Sequence, residues 1–142
     1  MSVVIQIKNA AAEAIKSLYG LEIKADEITV NATKPEFEGD YTVVLFSLVK
    51  QLKKSPDALG NEIGAHLLQQ NNSLFSSYNV IKGFVNLVIA DAYWTEFLTT
   101  NFSNESFGVK EKTGLRIMVE YSSPNTNKPL HLGHLRNNFL GL

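Results

Sequence analysis

The 142-residue chain is predicted to be an α+β protein, in which helices cover a small antiparallel sheet and a shorter second region follows. Two observations predict the sheet and its helices. Apolar residues recur at helical spacing in much of the first half, and two β-rich segments flank a Lys-Gly pair. A third observation is charge: residues 1–105 carry eight lysines against twelve acidic residues, and the rest carry five basic against two acidic residues. We therefore divide the chain into a domain at 1–105, a linker at 106–114 and a basic region at 115–142.

The first elements are predicted to be a helix, a strand, a loop and a second helix. The first helix precedes a stop at Gly20 and is indicated by apolar spacing at Val4, Ile7, Ala11, Ile15 and Leu18. The run 28–32 is β-prone, and ATKPEFEGDYT after it is expected to be a loop because it contains Pro35 and Gly39. The second helix ends at Lys53 and Lys54 and is indicated by Leu45, Leu48, Val49 and Leu52.

A third helix is predicted from Pro56 to about Gln70. Ser55 before Pro56 is a favourable N-cap and first helical residue. Its inward side is formed by Leu59, Ile63 and Leu67. Gly60 and Gly64 lie one turn apart, which indicates close packing against a neighbouring element.

A β-hairpin is predicted next. Residues 78–81 and 84–89 are rich in β-branched and aromatic side chains, and Lys82-Gly83 between them indicates the turn. Asp91 is expected to cap a short helix that continues through Leu98.

The composition excludes several classes of protein. The chain has no cysteine, so a disulfide framework, a thiolate zinc site and a cysteine nucleophile are excluded. No apolar run approaches the roughly 20 residues of a membrane span, and the N-terminal segment lacks the apolar core of a signal peptide. A cytoplasmic location is therefore expected. The net charge of −1 argues against a generally basic nucleic-acid binder.

The basic region carries the residues suited to chemistry. Residues 115–121 are predicted to form a strand, 122–130 a turn-rich loop, and His131-Leu-Gly-His134 the start of a helix. A strand, a tight loop and a helix N-terminus form the arrangement that binds phosphate in doubly wound α/β proteins. Two imidazoles three residues apart lie on one helical face, where both can donate to oxygens of a transferring phosphorus.

The His-x-x-His spacing alone leaves two other interpretations open. The histidines are also compatible with a solvated helix surface or with half of a zinc site, although zinc needs further ligands. His66 is the only other histidine, and it is expected to be a half-buried packing residue of the third helix.

The longer run VEYSSPNTNKPLHLGHLRNN resembles the first strand and signature loop of class I aminoacyl-tRNA synthetases. Within that class, the spacing Ser-x-Pro-Asn-x-x-Lys-Pro-x-His-x-Gly-His-Leu-Arg is similar to arginyl-tRNA synthetases. The resemblance extends to their additional N-terminal domain through GDYT at 39–42, KKSPDALGNEIG at 53–64 and GFVNLVI at 83–89. It implies that 115–142 begins a Rossmann-like catalytic domain that is incomplete here.

The resemblance also implies roles for residues near the signature. His131 and His134 match the histidines that donate to ATP phosphates while the amino-acid carboxylate attacks the α-phosphate. Gly133 matches the glycine on which adenine packs, and Lys128 matches an upstream lysine suited to phosphate. ATP would act as a substrate with Mg²⁺, and no tightly bound cofactor and no metal site in the protein are expected.

Three further residues match the arginine pocket of the family. Ser123 and Asn125 match residues that line it, and Glu120 matches an acidic position suited to a guanidinium. Two alternatives stay open: Glu120 is a solvated strand-end acid, and Asn125 is the second residue of a plain Pro-Asn turn.

The N-terminal domain of the family contacts the tRNA D-loop at the elbow. In the strand from Phe84, the period of two places Phe84 and Asn86 on one face and Val85, Leu87 and Ile89 on the core face. An aromatic ring and an amide are suited to a single-stranded base, and both positions match those that the family uses. Alternatively, Phe84 packs under a neighbouring helix. The lysines at 50, 53 and 54 share a helical face that either meets phosphates or is solvated.

Only 21 residues follow Tyr121, whereas a βαβ unit needs more than about 30. The chain is therefore interpreted as an inactive N-terminal fragment of an arginine–tRNA ligase whose partners are tRNA(Arg), arginine and ATP. The alternative is a stand-alone RNA- or protein-binding module with an incidental HLGH. The orphaned strand 115–121 is expected to pair with a second copy of the chain in a homodimer caused by truncation.

Overall fold

A computed structural model describes residues 2–141. Its helices are α1 (Val3–Tyr19), α2 (Phe46–Leu52), α3 (Pro56–Gln70), α4 (Asp91–Asn101) and α5 (Leu132–Gly141). Its strands are β1 (Thr29–Ala32), β2 (Tyr41–Val44), β3 (Phe75–Ile81) and β4 (Phe84–Ile89). The chain divides into two compact units, 1–105 and 106–142, and only α5 belongs to the second. Among the described residues, no helix combines the length and hydropathy needed to cross a membrane.

The four strands form one antiparallel sheet in the order β1-β2-β4-β3, which confirms the predicted class for the first unit. Its register aligns residues in rows across all four strands. One row consists of valines, namely Val30, Val43, Val85 and Val80. The next row is polar and consists of Asn31, Thr42, Asn86 and Asn79. Because neighbouring rows point to opposite faces, one face is apolar and the other is partly polar.

Helices α1 and α3 cover the valine face and enclose the core with it. The fully buried side chains there come from α1, α3 and the two central strands, namely Ile7, Ala11, Ile15, Leu59, Ile63, Leu67, Val43, Val85 and Leu87. The predicted start of α3 is confirmed, since the Ser55 hydroxyl accepts a hydrogen bond from the Ala58 N–H at 3.3 Å. His66 is half-buried, as predicted.

The two glycines of α3 allow the helix to lie directly on the hairpin. A Cβ atom at Gly60 would lie 2.7 Å from Val80 Cγ1, and one at Gly64 would lie 2.3 Å from Tyr78 Cδ2. Both distances are too short for nonbonded carbon atoms. The close packing predicted from the glycine spacing is therefore confirmed.

The predicted hairpin turn is also confirmed. Lys82 and Gly83 have φ angles of 51° and 78°, the pair of left-handed conformations that a two-residue type I′ turn requires. The Gly83 N–H donates to Asp57 Oδ1 at 3.0 Å. This bond fixes the turn to the first turn of α3 and therefore sets the position of the strand that follows.

Three predicted details of the first unit are wrong. Tyr41–Val44 is a strand rather than the end of a loop, because it pairs with β1 and β4 in the middle of the sheet. Asp91 does not cap α4: the N-cap position is Ala90, no side chain caps the helix, and it runs to Asn101. The hairpin begins earlier than predicted, at Phe75. The strand and the longer hairpin depend on pairing between segments, which local sequence patterns do not contain.

The predicted strand at 115–121 is not formed in the second unit. A strand satisfies its backbone N–H and C=O groups only by pairing with another strand. No segment within the described residues supplies that pairing. Ile117 and Val119 are exposed by 77% and 68% instead of lying in a covered sheet.

Candidate functional site

The face of the sheet turned away from α1 and α3 contains a pocket of about 470 Å³. Two rows of the sheet line it, one mainly apolar with Val44, Phe84 and Ile81, and one polar with Asn31, Thr42 and Asn86. Residues outside the rows complete it, namely Ala32, Lys34, Phe37 and Lys82. Rings, amides and two ammonium groups around one cavity suit a flat heterocycle with nearby anionic groups.

Phe84 contributes the ring predicted for this face. It is 37% exposed and contacts Phe46 of α2 edge-on, with ring centroids 4.9 Å apart and an interplanar angle of 87°. The alternative of helix packing therefore holds for part of the ring. Phe46 fixes the ring's position while the remainder faces the pocket.

Asn86 differs from the exposed amide that strand periodicity alone predicts. It is 1% exposed and is the only buried polar side chain among residues 2–141. Its Oδ1 accepts from the Thr42 hydroxyl at 2.6 Å, and its Nδ2 donates to Asn79 Oδ1 at 2.8 Å. These partners are its cross-strand neighbours. The amide keeps one hydrogen and one oxygen lone pair for further bonding.

The loop from Thr33 to Asp40 covers the same end of the sheet. Gly39 has a φ of 133°, and a Cβ atom there would lie 3.0 Å from Asn86 Cβ. Asp40 donates its N–H to the Leu87 carbonyl and accepts the Ile89 N–H at Oδ2, both at 2.8 Å. The Gly-Asp pair thus holds the loop against β4. Sequence reasoning missed Asn31, Thr42, Lys34 and Phe37 as pocket residues, because only the strand register and the path of the loop before β2 bring them to Phe84.

The helical face predicted for Lys50, Lys53 and Lys54 is wrong, because α2 ends at Leu52 and Lys53 has a left-handed φ of 50°. Lys54 Nζ donates to both carboxylate oxygens of Glu62, at 2.7 and 2.6 Å, and lies 5.0 Å from the centre of the Tyr19 ring. The Tyr19 hydroxyl also donates to Glu62, at 2.5 Å. Lys54 thereby lowers the pKa of Glu62, with a further contribution from Tyr19, while burial and then this bond raise the pKa of Tyr19. Lys34 and Lys82, rather than Lys54, face the pocket.

The His-x-x-His segment forms a reciprocal cap at the start of α5. His131 precedes the helix, and its Nδ1 accepts the Gly133 N–H at 3.1 Å. His134 lies one turn on, and its Nδ1 accepts the His131 N–H at 3.2 Å. The ring centroids are 4.0 Å apart. This is the arrangement of a capping box, with imidazole nitrogens in place of side-chain oxygens.

The cap determines which nitrogen of each neutral imidazole carries the proton. A nitrogen that accepts an N–H cannot also be protonated, so the proton of each neutral ring is on Nε2. Both Nε2–H groups are then available as donors to an anion near the helix N-terminus. Gly133 lies directly under His131, since a Cβ atom there would be 2.9 Å from His131 Cε1.

The loop before the signature has its own local contacts. Asn125 Oδ1 accepts the Asn127 N–H at 3.1 Å, and its carbonyl accepts the Lys128 N–H at 3.2 Å. These are the bonds of an Asx-type turn. Ser123 donates a hydrogen bond to the Glu120 carboxylate. All four of the residues predicted to bind arginine or phosphate here, namely Glu120, Ser123, Asn125 and Lys128, are exposed.

Two family models match the chain in tandem. The arginyl-tRNA synthetase N-terminal domain matches residues 5–89, and the catalytic domain of class I tRNA synthetases (R) matches residues 97–142. The chain belongs to the arginyl-tRNA synthetase family. The resemblance drawn from the residues is thus confirmed for both regions.

Relatives agree with this assignment. An arginine–tRNA ligase of Porphyromonas gingivalis is 49% identical over 99% of the chain, and one of Amoebophilus asiaticus is 43% identical over 99%. The chain spans only 24% of the length of each. A solved arginyl-tRNA synthetase of Thermus thermophilus matches 96% of the chain with a TM-score of 0.54 and 31% identity, and 21% of that structure is covered.

Proposed function

We propose that the full-length protein containing this chain is a cytoplasmic arginine–tRNA ligase, which activates arginine with ATP and transfers it to tRNA(Arg). The observation that carries the proposal is the tandem order of the two family matches, at 5–89 and 97–142. The HLGH segment lies inside the catalytic match. This placement argues against the alternative of a stand-alone module with an incidental HLGH.

In the proposed reaction, a carboxylate oxygen of arginine attacks the α-phosphorus of ATP. The bond from that phosphorus to the bridging oxygen breaks, and pyrophosphate leaves with its electrons. The Nε2–H groups of His131 and His134 donate to the phosphate oxygens as negative charge moves. Lys128 supplies a nearby cation. The tRNA 3′-terminal hydroxyl then attacks the arginyl carbonyl, and AMP leaves.

Mg²⁺ is proposed to arrive with the nucleotide. Within the described residues, no group of three or more His, Asp or Glu side chains is suited to hold a metal ion. Mg²⁺ commonly binds through substrate phosphates and water with few protein ligands. The ion would neutralise phosphate charge, and the residues of this chain would position the phosphates.

Glu120, Ser123 and Asn125 are proposed to contribute to the arginine site. A carboxylate beside a hydroxyl donor is suited to a guanidinium, which presents five N–H donors and no acceptor. The Ser123–Glu120 hydrogen bond supports this role, since it holds the carboxylate in one orientation.

The pocket on the free face of the sheet is proposed to receive a base of the tRNA D-loop. Phe84 would stack on the base. The remaining N–H and oxygen lone pair of the Asn86 amide would form hydrogen bonds with the edge of the base. Lys34 and Lys82 line the same pocket and would meet adjacent phosphates. Because residues 1–105 carry net negative charge, this unit would position a tRNA that is held elsewhere rather than capture one alone.

The experiment is aminoacylation by the full-length protein with Phe84→Ala and Asn86→Ala. Losing one stacked base costs about 1–3 kcal/mol, so kcat/KM for tRNA should fall roughly 5- to 150-fold for Phe84→Ala. The kcat at saturating tRNA should stay near wild type. Phe37→Ala tests a second aromatic residue of the pocket, and Phe75→Leu, a change in the core, controls for general destabilisation. Unchanged kcat/KM for both main variants would exclude the D-loop contact.

The 142-residue chain alone is expected to show no arginine-dependent turnover. It contains the region up to the HLGH helix, whereas its relatives are about four times longer. Pyrophosphate exchange by the purified chain above a no-enzyme control would contradict this expectation.

A further inference from the structure

The side chain of Asn86 belongs to a chain of hydrogen bonds that crosses the sheet. Asn79 on β3 lies on one side of it and Thr42 on β2 on the other, each directly opposite in the register. At one end, Asn79 Nδ2 contacts the main-chain carbonyl of Glu38 at 2.7 Å. At the other end, the Thr42 and Thr33 hydroxyls are 3.0 Å apart.

The carbonyl of Glu38 decides the direction of every bond in this chain. A main-chain carbonyl only accepts, so Asn79 must present its NH₂ group to Glu38 and its oxygen to Asn86. Asn86 must then present its own NH₂ group to Asn79 and its oxygen to β2. The Thr42 hydroxyl must donate to that oxygen, and the Thr33 hydroxyl must in turn donate to Thr42.

The opposite orientation of Asn86 is disfavoured for the same reason. Turning its amide over would place an NH₂ group against Thr42 and an oxygen against the Asn79 oxygen. Asn79 would have to turn as well, and two oxygens would then face each other at the Glu38 contact. At 1% exposure, the amide has almost no contact with water that could replace the lost bonds.

We propose that Asn79 is a positioning residue for RNA recognition, which fixes the orientation in which Asn86 presents its amide to the pocket. Asn79 does not line the pocket, so it acts through Asn86. This inference rests on the proposed tRNA contact of the pocket.

The test is a double-mutant cycle in the full-length protein, using Asn79→Ala, Asn86→Ala and the pair together. One hydrogen bond corresponds to roughly a two- to tenfold effect, so Asn79→Ala should raise KM for tRNA by that factor with kcat unchanged. In the Asn86→Ala background, Asn79→Ala should have no further effect, because the residue it orients is gone. Ser77→Ala, an exposed change on the same strand, should leave KM at the wild-type value.

A second pair of variants approaches the same amide from β2. Thr42→Val keeps the shape but removes the hydroxyl that donates to Asn86, whereas Thr42→Ser keeps the hydroxyl. Thr42→Val should raise KM for tRNA to the same extent as Asn79→Ala. Thr42→Ser should leave KM for tRNA at the wild-type value. Thermal unfolding of each variant identifies any that lose the fold, and the Thr42 pair then decides the outcome.

The outcomes separate this inference from the proposed function. If Asn86→Ala itself leaves KM unchanged, the tRNA contact is wrong. If Asn86→Ala raises KM but Asn79→Ala does not, or if the two effects multiply independently, the positioning role is wrong. A raised KM for Asn79→Ala that disappears without Asn86 supports it.

Discussion

The two units of this chain differ in two respects: how many buried residues they contain and how specific their sequence motifs are. Residues 1–105 enclose a core of fully buried side chains on a four-stranded sheet, and their proposed RNA contacts are held by that sheet. Residues 106–141 contain no buried residue, yet they carry the most specific motif in the sequence. A specific motif can therefore lie in a region that contains no packed core of its own.

The same substitution in each unit gives the largest expected contrast. Leu67→Ala removes a fully buried side chain of α3 and should lower the free energy of unfolding by about 2–5 kcal/mol. Leu132→Ala acts at the start of α5, where the side chain is 82% exposed, and should change it by less than about 0.5 kcal/mol. Urea unfolding of the 142-residue chain measures both. Equal effects would show that the second unit has a core of its own.

The second prediction concerns the chemistry of the unit without a core. In the full-length protein, His134→Ala should lower kcat by roughly 10²–10³, the cost of one lost donor to transition-state charge. His134→Gln should retain more activity than His134→Asn, because the glutamine NH₂ reaches the place of Nε2, which the cap leaves as the donor.

His66→Ala is the matched control for this prediction, because His66 lies in α3, outside the signature. It should leave kcat near wild type. Greater activity of the asparagine variant than of the glutamine variant would mean that Nδ1, not Nε2, contacts the nucleotide.

The third prediction is that residues 115–121 pair with a second copy of the chain when the 142-residue chain is isolated. Residues 115–121 have exposed apolar side chains and a backbone that no strand pairs. Antiparallel pairing with a second copy would satisfy the backbone groups in a closed arrangement. The 142-residue chain should therefore sediment as a concentration-dependent dimer, and a chain ending at residue 112 should sediment as a monomer. Two monomeric species at matched concentration would exclude this pairing.

The smallest expected effect lies in the first unit, at the Tyr19–Glu62–Lys54 cluster. Lys54 and then Tyr19 lower the pKa of Glu62, so its contribution is present above the ordinary glutamate pKa and is lost as pH falls through the lowered value. The pKa of Tyr19 is raised, so its contribution is complete below the ordinary tyrosine pKa and is lost only at strongly alkaline pH. The contribution of the cluster to the free energy of unfolding should therefore not change with pH near neutrality.

Glu62→Gln should therefore reduce the loss of stability as pH falls below the ordinary glutamate pKa, since the variant has no proton to take up there. The measurement is the difference in urea midpoint between wild type and variant at several pH values. Glu36→Gln, at an exposed loop position, is the control. A wild-type and a variant curve that stay parallel through this range would show that the cluster contributes nothing.

Local patterns predicted the elements that local forces decide. The apolar spacing and Gly20 gave α1, Ser55-Pro56 gave the start of α3, and Lys82-Gly83 gave the hairpin turn. They failed at Tyr41–Val44, whose strand state depends on two partners that are distant in sequence. They failed again at 115–121, where the pattern of a strand is present and the partner is not.

By itself, the sequence determined the α+β class of the first unit, the family and the position of the HLGH signature, because these depend on residue types at fixed spacing. Only the tertiary structure decided the state of Asn86. Periodicity placed it correctly on the face of Phe84 but gave no sign that it is buried and bonded on both sides. Thr42 is 44 positions from Asn86, and the Glu38 carbonyl is 41 positions from Asn79. The register of β2 and β4 makes the first contact, and the loop before β2 makes the second. Register is a property of the whole sheet.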